Sequence, residues 1–253
     1  MDDVAIIILA GGKGTRMGQS VPKVLVPVLG CPMVEWVFDE VMRSGLVVTP
    51  VVVVGYEAAQ VRQQLGRRCR YVIQSEQLGT GHAVAVCKKL LKNKTQQVVV
   101  VYGDHPTIDR SVIVDLVDKQ RKTGAVVAMS TVVVPDFRGN RSVFLRYGHL
   151  VRDAKGKKIL RCVEYKDASP KEKAIKEVNS GYYCFDAKWL WENVDRIEKR
   201  NVKNEYYLTD LIGMAVAQGE KVTPVPMKDW RYGLGSNTPS ELGVAEKLLK
   251  ERI

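Results

Sequence analysis

Several things that would define a protein class are scarce or missing in this chain. Apolar runs such as Val4–Ala10, Val51–Val54 and Val98–Val101 are short, far below the ~20 residues of a membrane-spanning helix. Histidine is rare, with His82, His105 and His149 the only three in 253 residues, which argues against a His/Cys zinc centre. The five cysteines (Cys31, Cys69, Cys87, Cys162, Cys184) are odd in number and include no C-x-x-C pair. They read as reduced thiols of a cytoplasmic protein, not as a disulfide framework. The start, Met1-Asp2-Asp3, is acidic and runs into a strand-like segment, unlike a secretory leader. Negative charge is the minority sign, with 28 Asp and Glu against 39 Lys and Arg for a net +11. That balance points to anionic partners without naming them.

The surplus charge is uneven. Residues 1–50 are slightly negative, while 51–100 and 151–200 carry most of the excess. Basic clusters at Arg67-Arg68, Lys88-Lys89 and Lys155–Lys158 fall in loops and helix ends, and lack the interleaved aromatics of a nucleic-acid surface. They read as solvated surface, and neither nucleic acid nor membrane is expected as a partner.

The first half alternates strand-like and helix-like segments. Strands are expected at Val4–Leu9, Pro50–Val54, Tyr71–Gln74, Val98–Tyr102 and Ala125–Val134. Helices are expected at Met33–Arg43, Glu57–Leu65, Gly81–Leu91 and Arg110–Thr123. The rhythm predicts an α/β fold with a Rossmann-like, doubly wound, mainly parallel sheet, in which ligands bind beyond the carboxyl ends of the strands. The second half reads as a mixed-sheet substrate lobe, with strands at Ser142–Arg152, Lys158–Tyr165 and Glu177–Phe185. Helices return at Ala187–Glu192, Tyr206–Ala217 and Pro239–Glu251. One domain over 1–253 is expected, with 1–135 as core and 136–253 as extension and closing helices.

A glycine-rich segment, Leu9-Ala10-Gly11-Gly12-Lys13-Gly14-Thr15-Arg16-Met17-Gly18, follows the first strand directly. Successive amides in such a loop cradle an anion, and Lys13, Arg16 and the nearby Lys23 add cationic donors. The spacing matches neither the P-loop nor G-x-G-x-x-G, because Met17 stands where the latter needs glycine. Asp104, past the end of an apolar strand, is placed either to reach a Mg²⁺ shared with substrate phosphates or to cap its own turn. Gln74, at another strand end, has a donor and an acceptor for a base edge, or is simply solvated. Glu164 either meets sugar hydroxyls or joins an edge-strand ion pair. His82 and His105 are given no catalytic role, since the sequence has no G-x-S-x-G elbow and no plausible Ser/His/Asp ordering.

These segments, with Pro22-Lys23, Gln77–Ala83, Tyr102-Gly103-Asp104-His105-Pro106, Val163–Ala168, Val178–Gly181 and Glu205–Asp210, resemble the sugar-phosphate nucleotidyltransferases. The set is most similar to the uridylyltransferase domain of bacterial N-acetylglucosamine-1-phosphate uridylyltransferases. The resemblance implies uridylyl transfer from UTP to a sugar 1-phosphate, with N-acetylglucosamine 1-phosphate expected, by direct in-line attack. It implies Mg²⁺ as cofactor on Asp104 and Asn237, although Asn237 also suits a helix cap. Lys13, Arg16 and Lys23 are implied as catalytic cations. Leu9, Ala10, Gly11, Gly12, Gly14, Thr15, Gln74, Gly79 and Thr80 are implied at the nucleotide, and Tyr102, Gly148, Glu164 and Asn179 at the sugar.

Three departures stand out. His105 replaces a small or aliphatic residue, Asn204 replaces a glycine, and Asp136–Tyr147 is longer than usual and adds Arg138, Arg141 and Arg146. The chain has no hexapeptide repeats, so an acetyltransferase β-helix is not expected. Another sugar phosphate or base (glucose 1-phosphate, thymidylyl transfer) and a non-catalytic nucleotide-sugar-binding regulator are the alternatives. Oligomeric state is not fixed by these observations.

Overall fold

The computed structural model describes residues 3–14, 17 and 21–252. Its strands are β1 (Val4–Ala10), β2 (Pro27–Val28), β3 (Cys31–Pro32), β4 (Val51–Val54), β5 (Arg70–Ile73), β6 (Gln97–Tyr102), β7 (Val127–Val133), β8 (Gly148–Arg152), β9 (Ile159–Val163), β10 (Glu177–Asp186) and β11 (Val222–Pro226). β1 lies inside the main sheet because both of its faces are apolar. Ala5, Ile7 and Leu9 pack into one hydrophobic layer with Trp191 and Leu211, while Val4, Ile6 and Ile8 pack into the other with Val37 and Ile113. This is the period-two alternation of a strand covered on both sides.

The sheet runs in the order β11-β7-β10-β6-β1-β4-β5, with β8 and β9 attached through β10. β6, β1, β4 and β5 are mutually parallel. The expected parallel core is therefore present, but β7 does not continue it next to β6. The antiparallel β10 lies between them. Eight consecutive residues of β10, Val178–Phe185, are buried, and a strand covered on both faces belongs in the interior of a sheet.

The helices at Met33–Arg43 and Arg110–Thr123 form where the sequence places them. The second is capped by Asp109, which accepts from Ser111 N at 2.8 Å, and ends at Gly124 with φ of 62°. Three expectations need correction. Ser142–Arg152 is not one strand: Gly139–Arg146 is a 3-10 turn and β8 begins at Gly148. The turn wins because it buries Phe144 edge-on against Tyr147 and Trp230. Gly81–Leu91 is two short helices, Thr80–Ala85 and Lys88–Leu91. The helix expected from Tyr206 begins at Asp210, since Tyr206 N donates to Leu78 O and Leu208 N to Thr80 Oγ1. β11 escapes sequence detection because it carries two prolines, which an edge strand tolerates.

The chain goes from β1 to β4 and β5 on one side, then crosses to β6 on the other side of β1. The winding direction therefore reverses between β1 and β6, and the crevice beyond their carboxyl ends is where such sheets bind ligands. Gly103 N donates to Leu9 O at 2.9 Å, so the glycine-rich loop and Asp104 leave the sheet side by side. Among the described residues no helix is long and apolar enough to cross a membrane.

Candidate active site

A cleft of about 430 Å³ opens at this switch point, lined by Leu9, Gly11, Gly12, Gly14, Lys23, Gln74, Gly79, Thr80, Tyr102, Asp104, His105 and Asn237. Segments separated by more than two hundred residues thus meet. Of the implied loop residues, Ala10 is buried beneath the cleft in the core, and Thr15 and Arg16 lie outside the described residues. Lys13 is exposed, with its ammonium 5.2 Å from the centre of the Tyr56 ring. Gly14 has φ of 68°, and a Cβ there would run into the stem of Lys23. Only glycine fits that position at low cost, so the loop presses Lys23 into place.

Lys23 is buried, 7% exposed. Its ammonium donates to Asp104 Oδ2 and, at 2.7 Å, to Asn237 Oδ1. Burial raises the Asp104 carboxyl, but the charge of Lys23 and its hydrogen bond outweigh it and leave the group below its usual range. The capping alternative for Asn237 is displaced by its neighbour: Thr238 Oγ1 caps the helix Pro239–Lys250, accepting from Glu241 N. The loop carrying Asn237 is itself held, since Ser236 N donates to Asp104 O at 2.9 Å.

The donor set suits a hard divalent cation. Two side-chain oxygens already converge on one positive nitrogen, and Asp104 Oδ1 is buried without a hydrogen-bond partner. No cluster of three His, Cys, Asp or Glu side chains occurs among the described residues. A site this poor in protein ligands matches Mg²⁺, which is held by one or two carboxylates together with substrate phosphates. His105 packs beside it, stacked on Tyr102 at 5.3 Å between ring centres. Burial, with Lys23 adding to it, pushes the His105 imidazole down to about 4, so the ring is neutral at pH 7.

Gln74 is buried, and its Nε2 donates to Gly79 O at 3.0 Å, joining two segments assigned to the base. Its Oε1 faces Gly11, where a Cβ would approach to 3.1 Å. Thr80 Oγ1 is occupied by Leu208 N at 3.0 Å. Asn204, in place of the family's glycine, has φ of 54°, a left-handed conformation that asparagine adopts more readily than most residues.

The residues assigned to sugar are spread more widely. Tyr102 lines the phosphate cleft. Glu164 lines a second cavity, of about 870 Å³, with Tyr207, Thr209 and Asp210. Burial pushes the Glu164 carboxyl above its usual range, although it accepts from Thr209 Oγ1 at 3.2 Å. Gly148 lies against it: a Cβ would approach Cys162 Sγ at 2.7 Å and Glu164 Oε1 at 3.4 Å. Asn179 is turned inward, its Nδ2 donating to Tyr183 Oη at 2.6 Å and its Oδ1 accepting from Gly181 N at 2.9 Å. Sequence reasoning assigned no role to Gln77, Lys203 or Glu205, which line the cleft, or to Thr209. Glu205 and Thr209 fall within the quoted 205–210 segment, so that signal was available.

The long 136–147 segment does not offer its arginines to the site as a group. Arg141 is paired with Asp136 at 2.7 Å, and Arg138 and Arg146 are exposed. Instead Tyr147 Oη donates to Gly233 O at 3.1 Å and accepts from Gly235 N at 2.6 Å. The segment thereby braces the loop that carries Asn237.

Comparison with known proteins identifies the family and the fold. The family model of the MobA-like NTP transferase domain matches residues 6–173. The chain is 40% identical over 253 residues to the Bifunctional protein GlmU of Brevibacillus brevis, covering 100% of this chain and 53% of that protein. It is 40% identical over 247 residues to the protein of the same name from Geobacillus sp., covering 98% and 52%. The chain thus spans about half the length of the curated relatives it matches. A solved structure from Bacillus anthracis, assigned as a glucose-1-phosphate thymidylyltransferase and bound to a sucrose, superposes with a TM-score of 0.74. It is 20% identical and covers 98% of this chain and 96% of its own, so it speaks to the fold alone.

Proposed function

Because this chain belongs to the MobA-like NTP transferase family, we propose that it moves a uridylyl group from UTP to a sugar 1-phosphate, N-acetylglucosamine 1-phosphate, releasing pyrophosphate. The observation that carries the reading is the meeting of the glycine loop, Lys23, Asp104 and Asn237 in one cleft at the switch point. The choice of UTP and of this sugar rests on the segments at 74–83, 163–168, 178–181 and 205–210.

The sugar phosphate oxygen attacks the α-phosphorus of UTP in line, without a covalent enzyme intermediate. Both reactants are anions, so repulsion is the main obstacle. The amides of Gly11, Gly12 and Gly14 face the leaving phosphates. Lys23 exchanges its two side-chain acceptors for phosphate oxygens, and Lys13 and Arg16 add charge at the pyrophosphate. Asp104 and Asn237 would hold Mg²⁺, which when bound would supply positive charge against the phosphates. Gln74 and Gly79 take the base edge. Tyr102, Gly148 and Glu164 bound the sugar, with Asn179 behind them as the strand partner of Gly148.

A panel of UTP, dTTP, ATP and GTP against glucose, glucosamine and N-acetylglucosamine 1-phosphates, read by pyrophosphate release, tests this. The expected result is turnover with UTP and N-acetylglucosamine 1-phosphate exceeding every other pair. Preference for dTTP or glucose 1-phosphate would replace the substrate assignment, and tight binding with no pyrophosphate released would make the protein a regulator.

A further inference from the structure

We propose that His105 is a third protein ligand of the cation at Asp104, giving the site an affinity for transition-metal ions such as Mn²⁺ and Co²⁺ that two oxygen ligands would not supply. The inference rests on the assignment of Asp104 to the metal in the reading above.

The hydrogen-bond network assigns the tautomer. Tyr182 Oη has one proton, and it donates to Tyr232 O at 3.0 Å. The contact of 3.1 Å between Tyr182 Oη and His105 Nδ1 must then run from the imidazole to the tyrosine. With its single ring proton on Nδ1, the imidazole has Nε2 as the atom that can act as a ligand. Nε2 has no hydrogen bond among the described residues; it faces Asp104 Oδ1 at 3.7 Å. That oxygen is the one left without a partner, because Lys23 takes Oδ2.

A cation lying between these two atoms would give both a partner. A ligand bond of ~2.1 Å on each side spans up to ~4.2 Å, so a single ion can touch both atoms at 3.7 Å. Space for the imidazole is built in from the loop side as well. Gly235 packs against the ring, and a Cβ there would collide with Nε2. Stacking on Tyr102 and the edge contact with Tyr182 account for the burial of the ring, but nothing in that packing uses Nε2. Imidazole nitrogen favours transition ions over Mg²⁺, so the substitution of histidine at this position has a chemical consequence.

The full chain loaded with Mn²⁺ and UTP, prepared with ¹⁵N-labelled histidine, tests this by pulsed EPR. The expected result is a ¹⁵N hyperfine coupling from directly bound imidazole, absent in His105→Val. Tyr182→Phe, which frees the tautomer, weakens it. By calorimetry His105→Val should raise the Kd for Mn²⁺ and Co²⁺ about tenfold or more, and shift that for Mg²⁺ less than about threefold. Bound Mn²⁺ with no histidine coupling in the unsubstituted protein overturns the inference and leaves Asp104 as a ligand. Mn²⁺ binding that Asp104→Asn does not weaken overturns the underlying metal assignment instead.

Discussion

The resemblance places Lys23 at a phosphate, and in the structure its ammonium pairs with Asp104 and donates to Asn237. The two roles are compatible, because a buried ammonium must be paired until an anionic substrate replaces its partners. Lys23→Ala should cost about 2–4 kcal/mol of transition-state stabilisation, the scale of a lost oxyanion donor. Measured as kcat/KM for pyrophosphate release with UTP, that is a drop of roughly thirtyfold to a thousandfold. Lys23→Arg should not restore it, since Gly14 leaves no room for a displaced stem. Near-normal turnover of Lys23→Ala would remove this residue from the mechanism. The glycine loop and Asp104 were legible from the residues because each follows an apolar strand. The role of His105 was not, because its meaning depends on Tyr182 and Tyr232, which no local pattern joins to it.

At the scale of elements, the long 136–147 segment changes from a source of loose arginines into a brace. Its 3-10 turn buries Phe144 and places Tyr147 against the 233–235 backbone. Tyr147→Phe leaves a carbonyl and an amide without their partner, which should destabilise the protein by about 1–3 kcal/mol in urea denaturation. It should also lower turnover, because the same loop carries Asn237. Full activity with the expected loss of stability would separate the brace from the site.

The helix Asp210–Ala217 gives a pH prediction. Burial, reinforced by Asp167, pushes the Asp210 carboxyl up to about 6, against ~3.9 in an unfolded chain. Stability from the protonated carboxyl is complete below ~3.9 and is lost as pH rises through the folded value. Asp210→Asn should therefore raise Tm more at pH 7.5 than at pH 5. An equal gain at both would show that the carboxyl titrates normally.

For the molecule as a whole, the net charge of +11 receives only a partial address. Lys23 is at the cleft, yet it belongs to the slightly negative first fifty residues. Ion pairs such as Arg152 with Glu177 and Arg252 with Asp109 consume one acid for every base, so they leave the surplus itself as diffuse charge outside the cleft. Binding to duplex DNA should therefore be nonspecific and vanish in a mobility shift by ~200 mM salt. A complex that survived such salt would make nucleic acid a genuine partner.

The sequence by itself determined the alternation of strand and helix in the first half, the buried β1, the glycine loop and its cations, and Asp104 at a strand end. These are local: each follows from apolar periodicity or from residue types within a few positions of one another. Only the tertiary structure decided the insertion of β10 between β6 and β7 and the start of the helix at Asp210. It alone seated Lys23 between Asp104 and Asn237, turned Asn179 inward, and used Tyr147 to hold a loop some ninety residues away. Each of those depends on a hydrogen bond or a buried surface between segments far apart in the chain, and such pairings are selected by packing in three dimensions, which leaves no periodic trace along one.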